Sequence, residues 1–310
     1  MGTKLVYTET SSRLKFGDYG FLSYNRNPNF KIFNFISNIF IVSYHIAKPS
    51  FPLSMFVKQY WSIDDCLPDG KEHIQRIIPN GLMDLTFYFG SRPTALDKNK
   101  HLQENSILNG QQKSFYDIIV SGKLSMFSIS FQPYGAKMFF DVPSNKFFDQ
   151  NVPLKYLVKH TITELEHSLY EATSFEGKIC IVEKFLMSQL RINFKEYEIN
   201  RIAQSIALIN HAKGMITIET LYSASFLSRK QYERTFLIYI GTSPKQFLRT
   251  VRFQNTLNEK QKNKKISLTE LAYNCGYYDQ SHMIYDYKLL SGKTPSQYFA
   301  ECEPDSDYFL

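Results

Sequence analysis

The chain is poor in the groups from which catalytic and metal centres are built. Its 310 residues hold four cysteines and seven histidines. Cys66, Cys180, Cys275 and Cys302 stand far apart in no metal-ligand spacing, which argues against a zinc site and a disulfide frame and reads as reduced thiols. His45, His73 and His101 are isolated, with no H-x-H pair and no carboxylate following at usable spacing, so a cupin-type metal site lacks its ligands. A reactive cysteine is missing too: Cys66 follows Asp64 and Asp65, and acidic neighbours raise a thiol pKa. No catalytic residue, metal or cofactor is expected. Long apolar runs are also absent. The most apolar early stretch, residues 30–46, is broken by Lys31, Asn34 and Asn38 and is too short and polar to span a bilayer. The N-terminus has no basic-then-apolar export signal. The expectation is a soluble, cytoplasmic protein without a membrane partner.

What is present is a localised positive charge. The net charge is +7 and the pI about 9.0. Residues 211–299 hold thirteen lysines and arginines against six acids, so this stretch carries the whole excess. Such a bias favours a polyanionic partner.

The length suits two ordinary domains. Residues 84–90 read D-L-T-F-Y-F-G, and residues 123–131 read K-L-S-M-F-S-I-S-F, the alternation of a half-buried strand. Turn signals stand at Pro68-Asp69-Gly70, Pro79-Asn80-Gly81 and Pro133-Tyr134-Gly135. Residues 45–150 therefore read as an antiparallel β-rich domain, a rolled sheet or barrel. Its aromatics Tyr60, Trp61, Phe87, Tyr88, Phe89 and Tyr134 are candidates to line an effector pocket, or they are simply core. From Val152 the period turns helical, through Leu154, Leu157, Val158, Ile162, Leu165 and Leu169, and again through Ile179, Val182, Phe185, Leu186 and Leu190. Residues 151–210 read as a helical linker and a candidate dimerisation element.

The last third repeats itself. At a constant offset of 51, Ser228 aligns with Asp279, Tyr232 with Met283, Phe236 with Tyr287, Gly241 with Gly292, Pro244 with Pro295 and Phe247 with Tyr298. In the first copy residues 218–224 form a short amphipathic segment, Ser225-Phe226-Leu227 the turn, and Ser228 the N-cap of the next helix. Tyr232, Phe236, Tyr239 and Ile240 share its inward face; Lys230, Glu233, Arg234 and Leu237 share another. The second copy has Ile266, Leu268, Leu271 and Ala272, a turn at Cys275-Gly276-Tyr277-Tyr278, and Asp279 as cap. Met283, Tyr287 and Leu290 face inward, and Gln280, Ser281, Ile284, Tyr285 and Lys288 outward. Residues 243–257, with Arg249 and Arg252, form a connecting helix. Two helix-turn-helix units follow, each with a second helix suited to the major groove.

Residues 211–300 resemble the AraC/XylS family of bacterial transcription regulators. The resemblance rests on Gly276-Tyr277-Tyr278-Asp279-Gln280-Ser281-His282-Met283 and on Gly292-Lys293-Thr294-Pro295-Ser296-Gln297-Tyr298. It implies a double helix-turn-helix domain reading successive major-groove segments of double-stranded DNA. The family's base-contacting positions fall on Lys230, Glu233 and Arg234 in the first unit and on Gln280, Ser281, His282 and Tyr285 in the second. The chain departs from the family at Tyr222 and Phe226, where small or turn-forming residues are usual, and at Tyr285, often an arginine. The second unit is expected to keep the family geometry more closely. A second resemblance runs through Tyr60-Trp61, residues 76–85 (R-I-I-P-N-G-L-M-D-L) and residues 131–136 (F-Q-P-Y-G-A) to an uncharacterised module often placed before such units. It begins near His45, so residues 1–44 look like an addition or the product of an upstream start codon.

The expected fold class is α+β: the extension (1–44), a β-rich sensor domain (45–150), a helical linker (151–210), an all-α double helix-turn-helix domain (211–300) and an acidic tail (301–310). The expected function is sequence-specific transcription regulation, without enzymatic activity. Expected partners are promoter DNA, a small-molecule effector, a second copy of the chain, and RNA polymerase if it activates. The alternatives are a cupin-like enzyme or small-molecule-binding protein fused to a DNA-binding tail, and a non-specific architectural protein, which would not need two matched reading helices.

Overall fold

Alternating side chains and turn residues between positions 43 and 153 produce, among the described residues, the strands β1 (Ser43–Ala47), β2 (Val57–Cys66), β3 (Glu72–Ile77), β4 (Asp84–Tyr88), β5 (Thr94–Ala95), β6 (Ser106–Asn109), β7 (Tyr116–Ser121), β8 (Lys123–Phe131) and β9 (Asn151–Pro153). The structure, a computed structural model, describes residues 43–97, 102–158, 162–190 and 195–301. Most of the expected extension and tail, with Cys302, therefore lies outside the described residues, while Ser43 and Tyr44 already belong to β1.

The strands form a six-stranded sheet, β1-β2-β8-β4-β6-β9, and a three-stranded sheet, β3-β7-β5, with every pairing antiparallel. Of the two expected forms, a rolled sheet or a barrel, the closed barrel does not form among the described residues. Closure needs pairing to continue from one edge strand to the other, and the edges of the larger sheet are strands of five and three residues that stay apart in the order. The half-buried reading of residues 123–131 also needs correction, because both faces of β8 are covered. Phe127, Ile129 and Phe131 enter the main apolar core, while Ser128 and Ser130 are buried on the opposite side. There their hydroxyls are paired, Ser128 with Thr86 at 3.1 Å, and Ser130 as donor to Asp84 and acceptor from Trp61 Nε1. A buried hydroxyl with a partner costs little.

The helical reading from Val152 fails over residues 152–158. Val152 and Asn151 pair with Leu108 and Asn109 as the edge strand β9, and a single 3-10 turn, Leu154–Tyr156, follows. Leu154 and Val158 are nonetheless buried, which is why their spacing imitates a helix. The helices are α1 (Ile162–Glu171), α2 (Phe175–Gln189), α3 (Glu196–His211), α4 (Ile218–Ala224), α5 (Arg229–Ile240), α6 (Pro244–Lys262), α7 (Leu268–Asn274), α8 (Gln280–Ser291) and α9 (Pro295–Glu301). Helix α3 falls within the expected helical linker but beyond the two stretches whose period marked it. Its buried Ile199, Ile202, Ile206 and Ile209 carry a helical period just ahead of the repeat, and it packs on α4, α5 and α6.

One apolar cluster runs without a break from Tyr60, Phe127 and Phe131, through Leu169, Val182 and Leu186, to Ile206, Tyr232, Phe236 and Ile240. The first helix-turn-helix unit thus shares its core with the β module. A separate cluster, with Phe253, Leu271, Met283, Tyr287 and Leu290, holds the second unit and takes in Ile78 and the half-buried Phe115 from the module.

Candidate nucleic-acid interface

Each reading helix is started by its own side chains. The Ser228 hydroxyl accepts from Gln231 N at 3.4 Å while Gln231 Oε1 accepts from Ser228 N at 3.1 Å, a reciprocal capping box. Asp279 Oδ1 accepts from His282 N at 2.7 Å, setting a carboxylate at the positive end of α8. Both helices end at a left-handed glycine, Gly241 (φ 94°) and Gly292 (φ 74°). Beyond each, a capped helix begins with proline, Pro244 of α6 after Ser243 and Pro295 of α9 after Thr294.

The turns differ. In the first unit two residues separate the end of α4, capped by Ser225, from Ser228; in the second, three separate Cys275 from Asp279. The left-handed positions are Phe226 (φ 53°) and Gly276 (φ 72°), so the offset is 50 before the turn and 51 after it. Tyr222 is half-buried against the main core and does not keep α4 from packing on α5.

On α5 the inward residues Tyr232, Phe236 and Ile240 are wholly buried, and Lys230 and Arg234 are exposed. Neither makes a hydrogen bond or ion pair among the described residues. Glu233 is half-buried and pairs with Arg229 at 3.0 Å, an exposed pairing that a stronger contact can replace. On α8, Ser281 is exposed and Gln280 accepts from Thr269 Oγ1 at 3.1 Å. His282 is half-buried, its ring edge-on to Tyr277 at 5.1 Å. Tyr285 is exposed with the Arg249 guanidinium 5.9 Å from its ring centre. Arg249 also lies 3.1 Å from the buried Asp286, whose carboxyl burial pushes above its ordinary range although Arg249, Arg252 and His282 pull it down. Arg249 and Arg252 of the connecting helix are both turned toward the second unit, Arg249 to Asp286 and Arg252 to the Tyr277 ring.

The N-terminal module meets both helices at their far ends. Gln111 Nε2 donates to Ile240 O at 2.9 Å, and Arg76 Nη1 donates to Ser291 O at 2.9 Å. Ile240 and Ser291 are equivalent residues of the repeat, the last of each helix, whose carbonyls lack an intrahelical donor. Arg76 is itself held by Asp117 through two hydrogen bonds of 2.7 and 2.8 Å. Both cap glycines abut the module, Gly241 at Ser144 and Met83, and Gly292 at Phe115. The reading ends stay clear of these contacts.

Inside the module the two sheets enclose a cavity of about 340 Å³. Of the aromatics expected to line a pocket, Trp61 and Tyr88 border it. Tyr60 and Phe87, one position away on the same strands, enter the apolar core instead, and Phe89 and Tyr134 pack against that core. Alternation decides between the faces. Tyr116, absent from the sequence reading, is the third aromatic at the cavity. Among the described residues no group of three His, Cys, Asp or Glu side chains gathers to hold a metal ion, and no helix is long and apolar enough to cross a membrane.

Residues 45–153 match the family described as Domain of unknown function (DUF6597), and residues 221–301 match a family described as Helix-turn-helix domain. The Probable transcriptional regulator LumQ of Photobacterium leiognathi is 26% identical over 166 residues, which cover 50% of this chain and 62% of that protein. This chain thus spans less than two thirds of that relative's length. The DNA-binding domain of the global transcriptional factor AdpA, solved with a target DNA, is 25% identical over 32% of this chain and 89% of its own, with a TM-score of 0.30. ToxT of Vibrio cholerae aligns over 74% of this chain and 97% of its own at 11% identity, with a TM-score of 0.41. One chain thus joins a segment that matches a helix-turn-helix domain family, residues 221–301, to a preceding segment that matches a domain family of unknown function, residues 45–153.

Proposed function

We propose that this chain is a sequence-specific DNA-binding transcription regulator whose helices α5 and α8 enter successive major-groove segments, about 34 Å apart on one face of B-DNA. The observation that carries the reading is the pair of capped helices of one design, each with a buried apolar side and an outward polar side at its N-terminal half. The local excess of thirteen basic over six acidic residues supplies the attraction to phosphate. On α5, Lys230 and Arg234 suit guanine and Glu233 cytosine N4; on α8, Gln280 suits adenine, with Ser281, His282 and Tyr285 beside it.

Residues 45–150 act in this reading as the regulatory module, 151–210 as the link, and 211–300 as the DNA-binding domain. Its matched contacts on Ile240 O and Ser291 O support control by the module, because a shift there changes the relative setting of the two reading helices. The signal is a small effector, or the pairing of two copies through α1 and α2, where Tyr170 and Met187 are exposed. The partner is cytoplasmic promoter DNA, and RNA polymerase where the protein activates.

Selection of binding sites from random duplexes tests the reading. Arg234→Ala and Gln280→Ala should each weaken binding to the selected operator by about 1–3 kcal/mol and relax the preference at one base position. Weakening with unchanged preference would overturn these base contacts; failure to select any motif would overturn the regulator itself.

A further inference from the structure

The cavity between the two sheets has walls of one character and a floor of another. Trp61, Ile77, Tyr88 and Met126 make it apolar, whereas Asp84, on β4, stands at its floor. The Asp84 side chain lies deep in the molecule but keeps part of its surface on the cavity. Its Oδ1 accepts from Ser130, and its Oδ2 accepts no hydrogen bond from the described residues. The adjoining polar groups are already committed, Asn109 to Thr86 at 3.1 Å and Thr86 to Ser128 at 3.1 Å. The charged lining is acidic in a chain that is otherwise basic: Asp65, Glu72 and Asp84 face it, against Lys71. Lys58 favours ionised Asp84 from β2 but makes no ion pair with it, and burial lowers its own pKa.

We propose that this cavity binds a small apolar amine, with the ammonium on the free oxygen of Asp84 and the hydrocarbon or ring between Trp61 and the second sheet. An apolar enclosure whose three carboxylates outnumber its one lining lysine disfavours anions and takes a cation that brings its own apolar body. The site also adjoins the contacts on the reading helices. On β3 and β7, Gln75, Ile77, Tyr116 and Ile118 face the cavity, while the intervening Arg76, braced by Asp117, holds Ser291 O. On the same path Gly110 and Gln112 line the cavity and Gln111 holds Ile240 O. The assignment rests on the module being the controlling element, as proposed above, for its consequence on DNA but not for binding itself.

Protonation gives the site a distinctive dependence. Burial pushes the Asp84 carboxyl up to about 6, against the pull of the Ser130 hydrogen bond and of Lys58. Tyr88 and Tyr116 beside it have their phenols raised by burial and stay neutral near pH 7, and Asp65, Lys71, Glu72 and His73 surround the cavity. An amine needs the ionised carboxylate, so its binding is close to full near pH 7 and is lost as pH falls through about 6.

The test is calorimetry and thermal shift on the full chain with tryptamine, 2-phenylethylamine and cyclohexylamine, and with 3-phenylpropionate and indole as the anionic and neutral counterparts. At least one amine should bind and raise the melting temperature, with affinity falling about tenfold from pH 7 to pH 5. Asp84→Asn should lose at least about tenfold in amine affinity while retaining its far-ultraviolet spectrum and a melting temperature no lower than the parent. Glu72→Gln, at the cavity wall, should weaken the amine by about twofold without touching the fold. Failure of all three amines to bind, equal or tighter binding of 3-phenylpropionate, or an unchanged affinity in folded Asp84→Asn overturns the assignment. Amine binding that leaves operator affinity unchanged overturns the control of DNA binding by the module and leaves the ligand class standing.

Discussion

The two helix-turn-helix units differ less in their reading helices than in what holds them. The first takes its core from the β module: Tyr232, Phe236 and Ile240 belong to the cluster that begins at Leu53 and includes Phe127 and Val182. The second has its own core, to which the module adds Ile78 and the half-buried Phe115. The module's polar contacts follow the same division. A buried neutral amide, Gln111, closes the end of α5, while a partly exposed guanidinium, Arg76, closes the end of α8, where a positive charge also favours the helix dipole. Two copies of one unit have thus become a fixed head and an attached head. In the proposed regulator, the second head is the one that shares less of its core with the module.

Core truncation separates the two most strongly. Phe236→Ala and Tyr287→Ala each remove a wholly buried ring and should cost about 3–5 kcal/mol. The loss should spread differently. Hydrogen exchange should show Phe236→Ala lowering protection in β2, β8 and α5 together, and Tyr287→Ala lowering it in α7, α8 and α9 while α5 keeps its protection. Equal loss in both units after Tyr287→Ala would reduce the two heads to a single cooperative body.

The cap glycines give a smaller contrast. At Gly241 a Cβ would stand 2.8 Å from the backbone oxygen of Ser144 and 2.9 Å from Met83 Cε, at a left-handed φ of 94°. At Gly292 (φ 74°) it would stand 2.4–2.9 Å from the Phe115 ring, which can turn aside but carries the Arg76 guanidinium at 4.5 Å. Gly241→Ala should therefore cost about 2–3 kcal/mol in urea unfolding, and Gly292→Ala about 1–2, since backbone yields less than a side chain. The second variant should in addition release the hold on Ser291 O, seen as faster exchange at the end of α8. A larger loss from Gly292→Ala would reverse the assignment of fixed and attached heads.

The parts legible in the sequence were those fixed by neighbours within a few residues. Ser228, Asp279, Gly241 and Gly292 mark helix ends through local hydrogen bonds and φ, and the buried faces of α5 and α8 follow a 3- or 4-residue period. Face assignments within strands were harder, since Tyr60 and Trp61, or Phe87 and Tyr88, are equally aromatic and only the placement of a second sheet decides which pair meets the cavity. The module's contacts were out of reach altogether. Gln111 and its partner are 129 residues apart, and Arg76 and its partner 215, so no local pattern links them. Asp84 looked like the polar start of a strand, and only its surroundings make it a buried acid.

The finest contrast lies in the turns. Phe226 holds a left-handed φ of 53° with its side chain 88% exposed, so it bears the steric cost of that conformation with almost no packing in return. Gly276 occupies the equivalent place without that cost. A side chain at such an angle costs about 1–2 kcal/mol, and a glycine gives back part of the gain through the greater freedom of the unfolded chain. Phe226→Gly should therefore stabilise the protein by about 0.5–1 kcal/mol, whereas Gly276→Ala should destabilise it by about 1–2 kcal/mol, its Cβ also falling 2.5 Å from Met215 Cγ, which must shift. Urea midpoints at constant slope measure both. Strain retained in the first turn, next to the start of α5, is what a functional position would carry, so operator affinity is the second reading to take on Phe226→Gly. A gain in stability with lower affinity would place the exposed ring against DNA. A gain in stability with unchanged affinity would leave Phe226 as unrelieved strain in the more tightly held of the two heads.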